Sequence, residues 1–142
     1  VNHRLKQHNF FDDEMDDLKK LRPGRAFYYL FWLIYQILKS GFQVAFVVLR
    51  PGLPTKTQLM TFSVDLPSAH AKMILGNSIT LTPGTLTIDI RGDMFTVHAL
   101  TSASFDGIVS DEMPRQVLKL FSNEDRPVVR DIRFLNASGE PK

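Results

Sequence analysis

Residues 26–49 read AFYYLFWLIYQILKSGFQVAFVVL, a 24-residue run whose single charge is Lys39. A helix of that length crosses a hydrocarbon core of roughly 30 Å. Its aromatic start, with Phe27, Tyr28, Tyr29 and Trp32, suits the headgroup belt of a bilayer. One feature restrains that reading. Tyr29, Gln36, Lys39, Ser40 and Gln43 recur at helical spacings and form one narrow polar stripe. Lysine near the middle of a span is costly against lipid and is tolerated where it faces protein or water. The segment therefore either spans with its stripe against a partner helix or lies in the interface with its stripe to water. Arg22 and Arg25 precede it and Arg50 and Lys56 follow. Basic residues at both ends favour the in-plane arrangement over a one-sided topology. Lys39 reads as a snorkelling side chain on the stripe.

The chain divides into a polar leader at 1–25, the membrane helix at 26–50, an α/β domain at 51–122 and a tail at 123–142. The domain is small, and its core calls for help from other surfaces. The net charge of +2 and the lack of a long basic run leave no stripe for nucleic acid. The absence of cysteine excludes disulfides, thiolate-ligated zinc, iron–sulfur ligation and thiol chemistry, and it fits a reducing compartment. The first apolar run starts at Ala26 without a small-residue cleavage site, so no secretory signal is expected. The leader carries Asp12, Asp13, Glu14, Asp16 and Asp17 ahead of Lys19 and Lys20, a charge order that suits a short solvated helix.

After the Pro51-Gly-Leu-Pro54 break, residues 59–66 alternate as a strand. Ser68 is placed to cap a helix from Ala69 to about Ile79, with Met73, Ile74 and Leu75 as its apolar side and fraying near Gly76-Asn77. Pro83-Gly84 reads as a tight turn. Leu86, Ile88 and Ile90 then share one strand face, and Phe95, Val97 and Ala99 share one face of the next. A two-residue turn at Gly92-Asp93 sets Ile90 opposite Phe95, Ile88 opposite Val97 and Leu86 opposite Ala99. The outer face would then pair Thr87 with His98 and Asp89 with Thr96. A second helix starts near Ser110-Asp111, with Pro114 in its first turn and Met113, Val117, Leu120 and Phe121 inward. Residues 128–135 suit either a last strand or a segment docked on a partner. The order is strand, helix, strand, strand, helix: α+β, with a single membrane-associated amphipathic or transmembrane helix followed by a small ferredoxin-like, split βαβ domain.

Few residues are arranged for chemistry. Thr-Pro-Gly-Thr at 82–85 lacks the G-x-x-x-x-G-K-[ST] phosphate-loop pattern and is better read as a turn. His3, His8, His70 and His98 have no metal-ligand spacing. Thr87, Asp89 and His98 could share the outer sheet face, but no nucleophile, pocket or orienting group accompanies them. Arg91-Gly-Asp93 builds the hairpin, and Asn136-Ala-Ser138 matches a glycosylation acceptor that means nothing if the tail is cytoplasmic.

The run Asn77-Ser-Ile-Thr-Leu-Thr-Pro-Gly-Thr-Leu-Thr-Ile-Asp-Ile90, followed by Val97-His-Ala-Leu100, resembles the signature of the E-type subunit of multisubunit Mrp/Mnh-type Na+/H+ antiporters. The resemblance runs from about Tyr28 to Phe121, through the apolar segment and the Val48-Leu-Arg-Pro51 exit. It implies a non-catalytic accessory subunit, without cofactor or metal, in the plasma membrane with its C-terminal domain cytoplasmic. The partners implied are large antiporter-like subunits, small membrane subunits and membrane lipid. The same module in a membrane-bound hydrogenase or sulfur-reducing complex is the alternative, and a membrane-surface adaptor is a further one. Asn77, Thr80, Thr82, Pro83, Gly84, Thr85, Asp89 and His98 are then the residues expected at a subunit interface or holding its structural motif. Family members usually begin with a hydrophobic hairpin where residues 1–25 are polar here, so anchorage is expected to rest on one helix.

Overall fold

The computed structural model describes residues 22–52 and 57–135. The acidic run with His3 and His8, part of the Pro/Gly break, and the acceptor tripeptide at 136–138 lie outside the described residues.

Helix α1 (Pro23–Leu49) starts on a proline, whose fixed φ suits a first turn and whose missing N–H would have had no partner there. It ends where extended Arg50 meets Pro51, because proline pushes its predecessor out of the helical region. Its 27 residues give a rod of about 40 Å, and among the described residues it is the one helix long and apolar enough to cross a membrane.

The domain follows as β1 (Gln58–Val64), α2 (Ala69–Leu81), β2 (Thr85–Arg91), β3 (Met94–Ala99), a 3₁₀ turn (Ser102–Phe105), the short α3 (Asp106–Val109), α4 (Glu112–Phe121) and β4 (Val129–Leu135). The strands form one antiparallel sheet in the order β2-β3-β1-β4. This is the split βαβ arrangement, and the run at 128–135 supplies its last strand. Met60, Phe62 and Val64 of β1 and Phe95, Val97 and Ala99 of β3 are buried, together with Leu75 and Ile79 of α2 and Val117 and Leu118 of α4. Phe62 and Phe95 stack across the two central strands with ring centroids 5.4 Å apart. The opposite sheet face, with Thr61, Thr96 and His98, is only partly covered.

Ser68 caps α2, its Oγ accepting from the Ala71 N–H at 3.2 Å. The helix does not fray at Gly76-Asn77 but continues to Leu81. Its buried side is Ala71, Leu75, Gly76, Ser78 and Ile79; Met73 is 55 % exposed, because a residue two positions from Leu75 points to the other side of a helix.

The hairpin turn at Gly92-Asp93 forms as expected, with Gly92 at φ +60 and Arg91 paired to Met94. Ile90 faces Phe95 and Asp89 faces Thr96, as the turn length requires. Upstream, a bulge between Thr87 and Asp89 leaves Ile88 unpaired. Thr87 therefore faces Val97, Leu86 faces His98 and Thr85 faces Ala99, rather than the pairs Thr87–His98, Ile88–Val97 and Leu86–Ala99. One extra residue reverses every side chain beyond it. Thr85 is buried while Leu86 and Ile88 are 50 % and 55 % exposed.

Met113, Val117 and Leu120 of α4 are buried as expected, joined by Pro114 and Leu118. Asp111, in the left-handed region at φ +62, precedes the helix. Its carboxylate accepts from the backbone N–H groups of Val128 (2.8 Å) and Val129 (3.0 Å) and from Arg115 Nε (3.1 Å), which ties β4 to the start of α4.

Candidate functional site

The threonines of the 77–90 run close the end of α2. A helix leaves its last carbonyls without intrahelical donors, and hydroxyls three to six residues away can supply them. Thr80 Oγ1 donates to Gly76 O (3.0 Å), Thr82 Oγ1 to Ser78 O (2.9 Å), and Thr85 Oγ1 is shared between Ile79 O (2.6 Å) and Thr82 O (2.9 Å). Thr87 on the neighbouring strand donates from Oγ1 to Gly76 O (2.9 Å), while its N–H reaches Thr80 Oγ1 (3.2 Å). Pro83-Gly84 makes the turn between them: Thr85 N–H donates to Thr82 O (3.2 Å), and Gly84 sits at φ +89. The Gly84 carbonyl then accepts from Leu100 N–H at 2.8 Å, which fastens the turn to the end of β3.

Gly76 has a reason beyond helix propensity. A Cβ there would come within 2.8 Å of Ile90 Cδ1, so α2 and β2 meet closely at this point and any side chain at 76 makes Ile90 shift.

Helix α1 is seated on this junction. Arg25 donates from Nη1 to Lys119 O (3.0 Å) and Ser122 O (2.9 Å) and from Nη2 to Asn123 Oδ1 (2.7 Å), satisfying carbonyls at the end of α4. One turn on, the buried Tyr29 hydroxyl meets Ser78 Oγ at 2.6 Å. Ser78 donates its own proton to Ile74 O (2.8 Å), so Tyr29 is the donor. Burial lifts the Tyr29 pKa to about 12, against the opposing effect of the Ser78 bond, so the phenol stays neutral. Leu33 is buried beside it. Further along, Gly41 lies 3.8 Å, measured from an added Cβ, from Pro83 Cγ, and Val44 Cγ2 would be 3.0 Å from a Cβ at Gly84.

The polar stripe faces the chain's own domain along much of its length. Tyr29 bonds to the domain, Ser40 Oγ donates to Ile37 O (3.1 Å), and Gln36, Lys39 and Gln43 line a cavity of ≈ 430 Å³ between α1 and the domain. The far wall of that cavity carries Ser104, Asp106 and Glu112. The opposite side of α1 is apolar and uncovered: Phe27, Phe31, Ile34, Leu38, Phe42 (74 % exposed), Phe46 and Leu49 (81 %) form one continuous face.

The remaining candidates separate. Thr87 lies on the helix-covered side, whereas Asp89 and His98 lie on the other face, so the three-residue acid–base cluster is not assembled. Asp89 is paired with Arg91 (2.6 Å) at the surface. Asn77 is exposed and, with Thr80, Ile88 and Asp89, lines a shallow groove between α2 and the edge strand β2. Among the described residues no group of three or more His, Asp or Glu side chains could hold a metal ion. Arg25, Ser78 and Gly76 are the important residues that sequence reasoning missed. Ser78 alone left a signal, since a serine three residues after Leu75 shares its helix face.

The chain matches the family described as MNHE, Na+/H+ ion antiporter subunit, over residues 6–120. The match takes in part of the leader, which lies outside the resemblance read from the sequence. Among curated relatives, the E1 subunit of an Na(+)/H(+) antiporter from Staphylococcus saprophyticus is 30 % identical over 70 residues, or 49 % of this chain and 43 % of the relative. The protein of the same name from Staphylococcus aureus is 24 % identical over 89 residues, or 57 % of this chain and 56 % of the relative. The chain spans about half the length of the curated relatives it matches. Among solved structures, a chain of the membrane-bound sulfane sulfur reductase, an archaeal respiratory membrane complex, is 32 % identical with a TM-score of 0.50, covering 60 % of this chain and 56 % of that one. A chain of the Mrp complex from Dietzia sp. is 22 % identical with a TM-score of 0.48, covering 72 % of this chain and all (100 %) of that one.

Proposed function

This chain belongs to the MNHE family of Na+/H+ ion antiporter subunits, and from that premise we propose that it is a non-catalytic accessory subunit of a multisubunit cation/proton antiporter in the plasma membrane, with its α/β domain on the cytoplasmic side. The observation that carries this reading is the family match itself, which covers the long helix and most of the domain. The junction residues support a supporting role: Thr80, Thr82, Thr85 and Thr87 bond to the backbone of α2. They hold the element in shape.

In this proposal α1 lies in the membrane surface. Its contacts with the domain run from Arg25 to Val44, about 28 Å of helix at 1.5 Å per residue. That is nearly the thickness of a hydrocarbon core, and a domain carrying exposed Arg, Asp and Glu along that length cannot enter one. With α1 in the plane, its apolar face enters the acyl boundary and the domain stays in water. The basic residues near its two ends, Arg22, Arg25 and Arg50, then lie at one surface, as a cytoplasmic side prefers.

The edge strand β2 and the groove beside it form the proposed contact with partner subunits. Ile88 exposes an apolar side chain at the groove beside Asn77 and Asp89, and Leu86 lies exposed on β2 opposite His98 of β3. The test is purification of a tagged full chain from its native membranes in mild detergent, with mass spectrometry of everything retained. Large antiporter-like subunits without redox partners support the proposal. A solitary monomer overturns it.

A second reading has its own support in the likeness to a chain of a sulfane sulfur reductase complex. The same module would then serve a redox-driven membrane complex. Iron–sulfur or nickel–iron subunits retained in the same purification would select it.

A further inference from the structure

The cavity between α1 and the α3–α4 segment has a distribution of charge that the subunit reading does not use. Its α1 wall carries Lys39 and Arg50, and its domain wall carries Asp106 and Glu112. All four side chains are exposed at the cavity, where opposite charges can close into ion pairs. Among the described residues none of these four does so within 4 Å, although eight other contacts of that kind are present. The hydroxyls nearby are already engaged: Ser104 and Thr101 bond to each other at 2.9 Å, and Ser40 to Ile37 O. The cavity, at ≈ 430 Å³, falls in the size range of small-ligand sites. It therefore offers two separated charges of each sign, positive on the helix and negative on the domain.

We infer that this cavity seats the headgroup of a zwitterionic phospholipid with a primary ammonium, of the phosphatidylethanolamine class. The phosphate would lie against Lys39 and Arg50, and the ammonium against Asp106 and Glu112. Each half of the headgroup then meets charges of the opposite sign. A free phosphate or other simple anion fits poorly, because the two carboxylates face it from the domain wall. Choline also fits poorly, since its methylated nitrogen has no N–H to donate to a carboxylate. The position argues for lipid over a soluble molecule. Its wall is the back of a helix whose other side is apolar, so the in-plane placement proposed above would set the cavity beside the headgroups, where phospholipid is abundant. Val47 on the same wall, with Phe46 at the edge where the apolar face meets the cavity, offers apolar surface to the glycerol and the first acyl carbons. Lys39 then has a partner that explains its place on the stripe.

This inference rests on the in-plane placement of α1, and one experiment separates the two. The full chain is floated with vesicles of phosphatidylcholine alone, of phosphatidylcholine with phosphatidylethanolamine, and of phosphatidylcholine with phosphatidylglycerol. The wild type is expected to bind the ethanolamine-containing vesicles roughly fivefold to tenfold more tightly than phosphatidylcholine alone, the gain of one or two charge-assisted bonds at a partly solvated site. Asp106→Asn, Glu112→Gln and the double variant of the two, which lose the ammonium contacts, should bring that ratio close to one, whereas Lys39→Gln, which loses a phosphate contact that both lipids share, should lower binding to both; far-UV circular dichroism checks that each variant folds. Equal binding of the wild type to the first two vesicles overturns the headgroup site and leaves the in-plane helix standing. So does a preference that survives in the double variant, since lipid-packing effects would not depend on those two side chains. A stronger preference for phosphatidylglycerol overturns it too, as a basic surface only. Failure to bind any vesicle overturns the in-plane placement and the site together.

Discussion

Gly84→Ala probes the seating of α1 on its own domain. Gly84 is the third residue of the Thr82–Thr85 turn and lies at φ +89. Placing a Cβ on a left-handed residue costs roughly 1–2 kcal/mol. The new methyl would stand 3.0 Å from Val44 Cγ2 on α1 and 3.0 Å from Ser104 Oγ, so the helix or the loop must give way. Mild overpacking of that kind adds about 1 kcal/mol, for a total of roughly 2–3 kcal/mol. Against a stability of about 5–15 kcal/mol for a small domain, the shift is easily measured. Urea unfolding of the full chain in mild detergent would report it through the single tryptophan, Trp32, which lies on α1 and stacks with Tyr29 at 5.9 Å. A double-mutant cycle with Val44→Ala isolates the helix contact. Removing Cγ2 should relieve part of the strain and give a coupling of about 0.5–1 kcal/mol. Stability within about 0.5 kcal/mol of wild type, or an additive cycle, would refute the packing of α1 against the turn.

Other substitutions test neighbouring links. Tyr29→Phe should cost about 1 kcal/mol by urea unfolding, because Ser78 keeps its bond to Ile74 O and no buried group is orphaned; a loss well beyond that would mean the phenol supports more than one contact. Asp111→Ala removes the acceptor for two backbone N–H groups at the start of β4, and a loss of roughly 2–3 kcal/mol is expected, with amide exchange at Val128 and Val129 rising first. Gly76→Val should be worse than Gly76→Ala: alanine regains about 1 kcal/mol of helix propensity that offsets the push on Ile90, whereas the branched side chain has nowhere to go. Ile88→Lys, at the exposed bulge, should leave the melting temperature within a few degrees of wild type yet lower the yield of co-purified subunits severalfold. Unchanged yield would remove β2 from the interface.

Much of the architecture is legible in the chain because local chemistry and the global fold agree. Ser68 caps, Pro83-Gly84 turns, and Gly92-Asp93 closes a hairpin, all by rules that act over a few residues. The α2 register and the β2 pairing are less legible for a shared reason. Gly76 looks like a helix end, yet it is the point where α2 and β2 touch, and the same closeness accompanies the bulge at Ile88. A glycine read without its neighbour across space suggests a stop. The threonines of the 77–90 run are prominent in the sequence, but hydroxyl reach to a helix's last carbonyls emerges only once the strand folds back. The polar stripe on α1 is legible as a stripe. Its partner is not, since nothing in residues 26–49 says that Tyr29 meets Ser78 of the same chain.

The arrangement of α1 is tested most directly by depth. The chain contains no cysteine, so a fluorophore can be placed at one engineered site at a time along the helix of the full chain in lipid vesicles, with quenchers at known positions in the acyl chains. An in-plane helix seated on its domain predicts the same shallow depth for Phe31→Cys, Leu38→Cys, Phe42→Cys and Phe46→Cys, with Gln36→Cys and Ser40→Cys shielded from every quencher. A depth that grows from Phe31 to the bilayer centre near Leu38 and falls again towards Phe46, whichever face carries the label, would contradict it and make α1 a span.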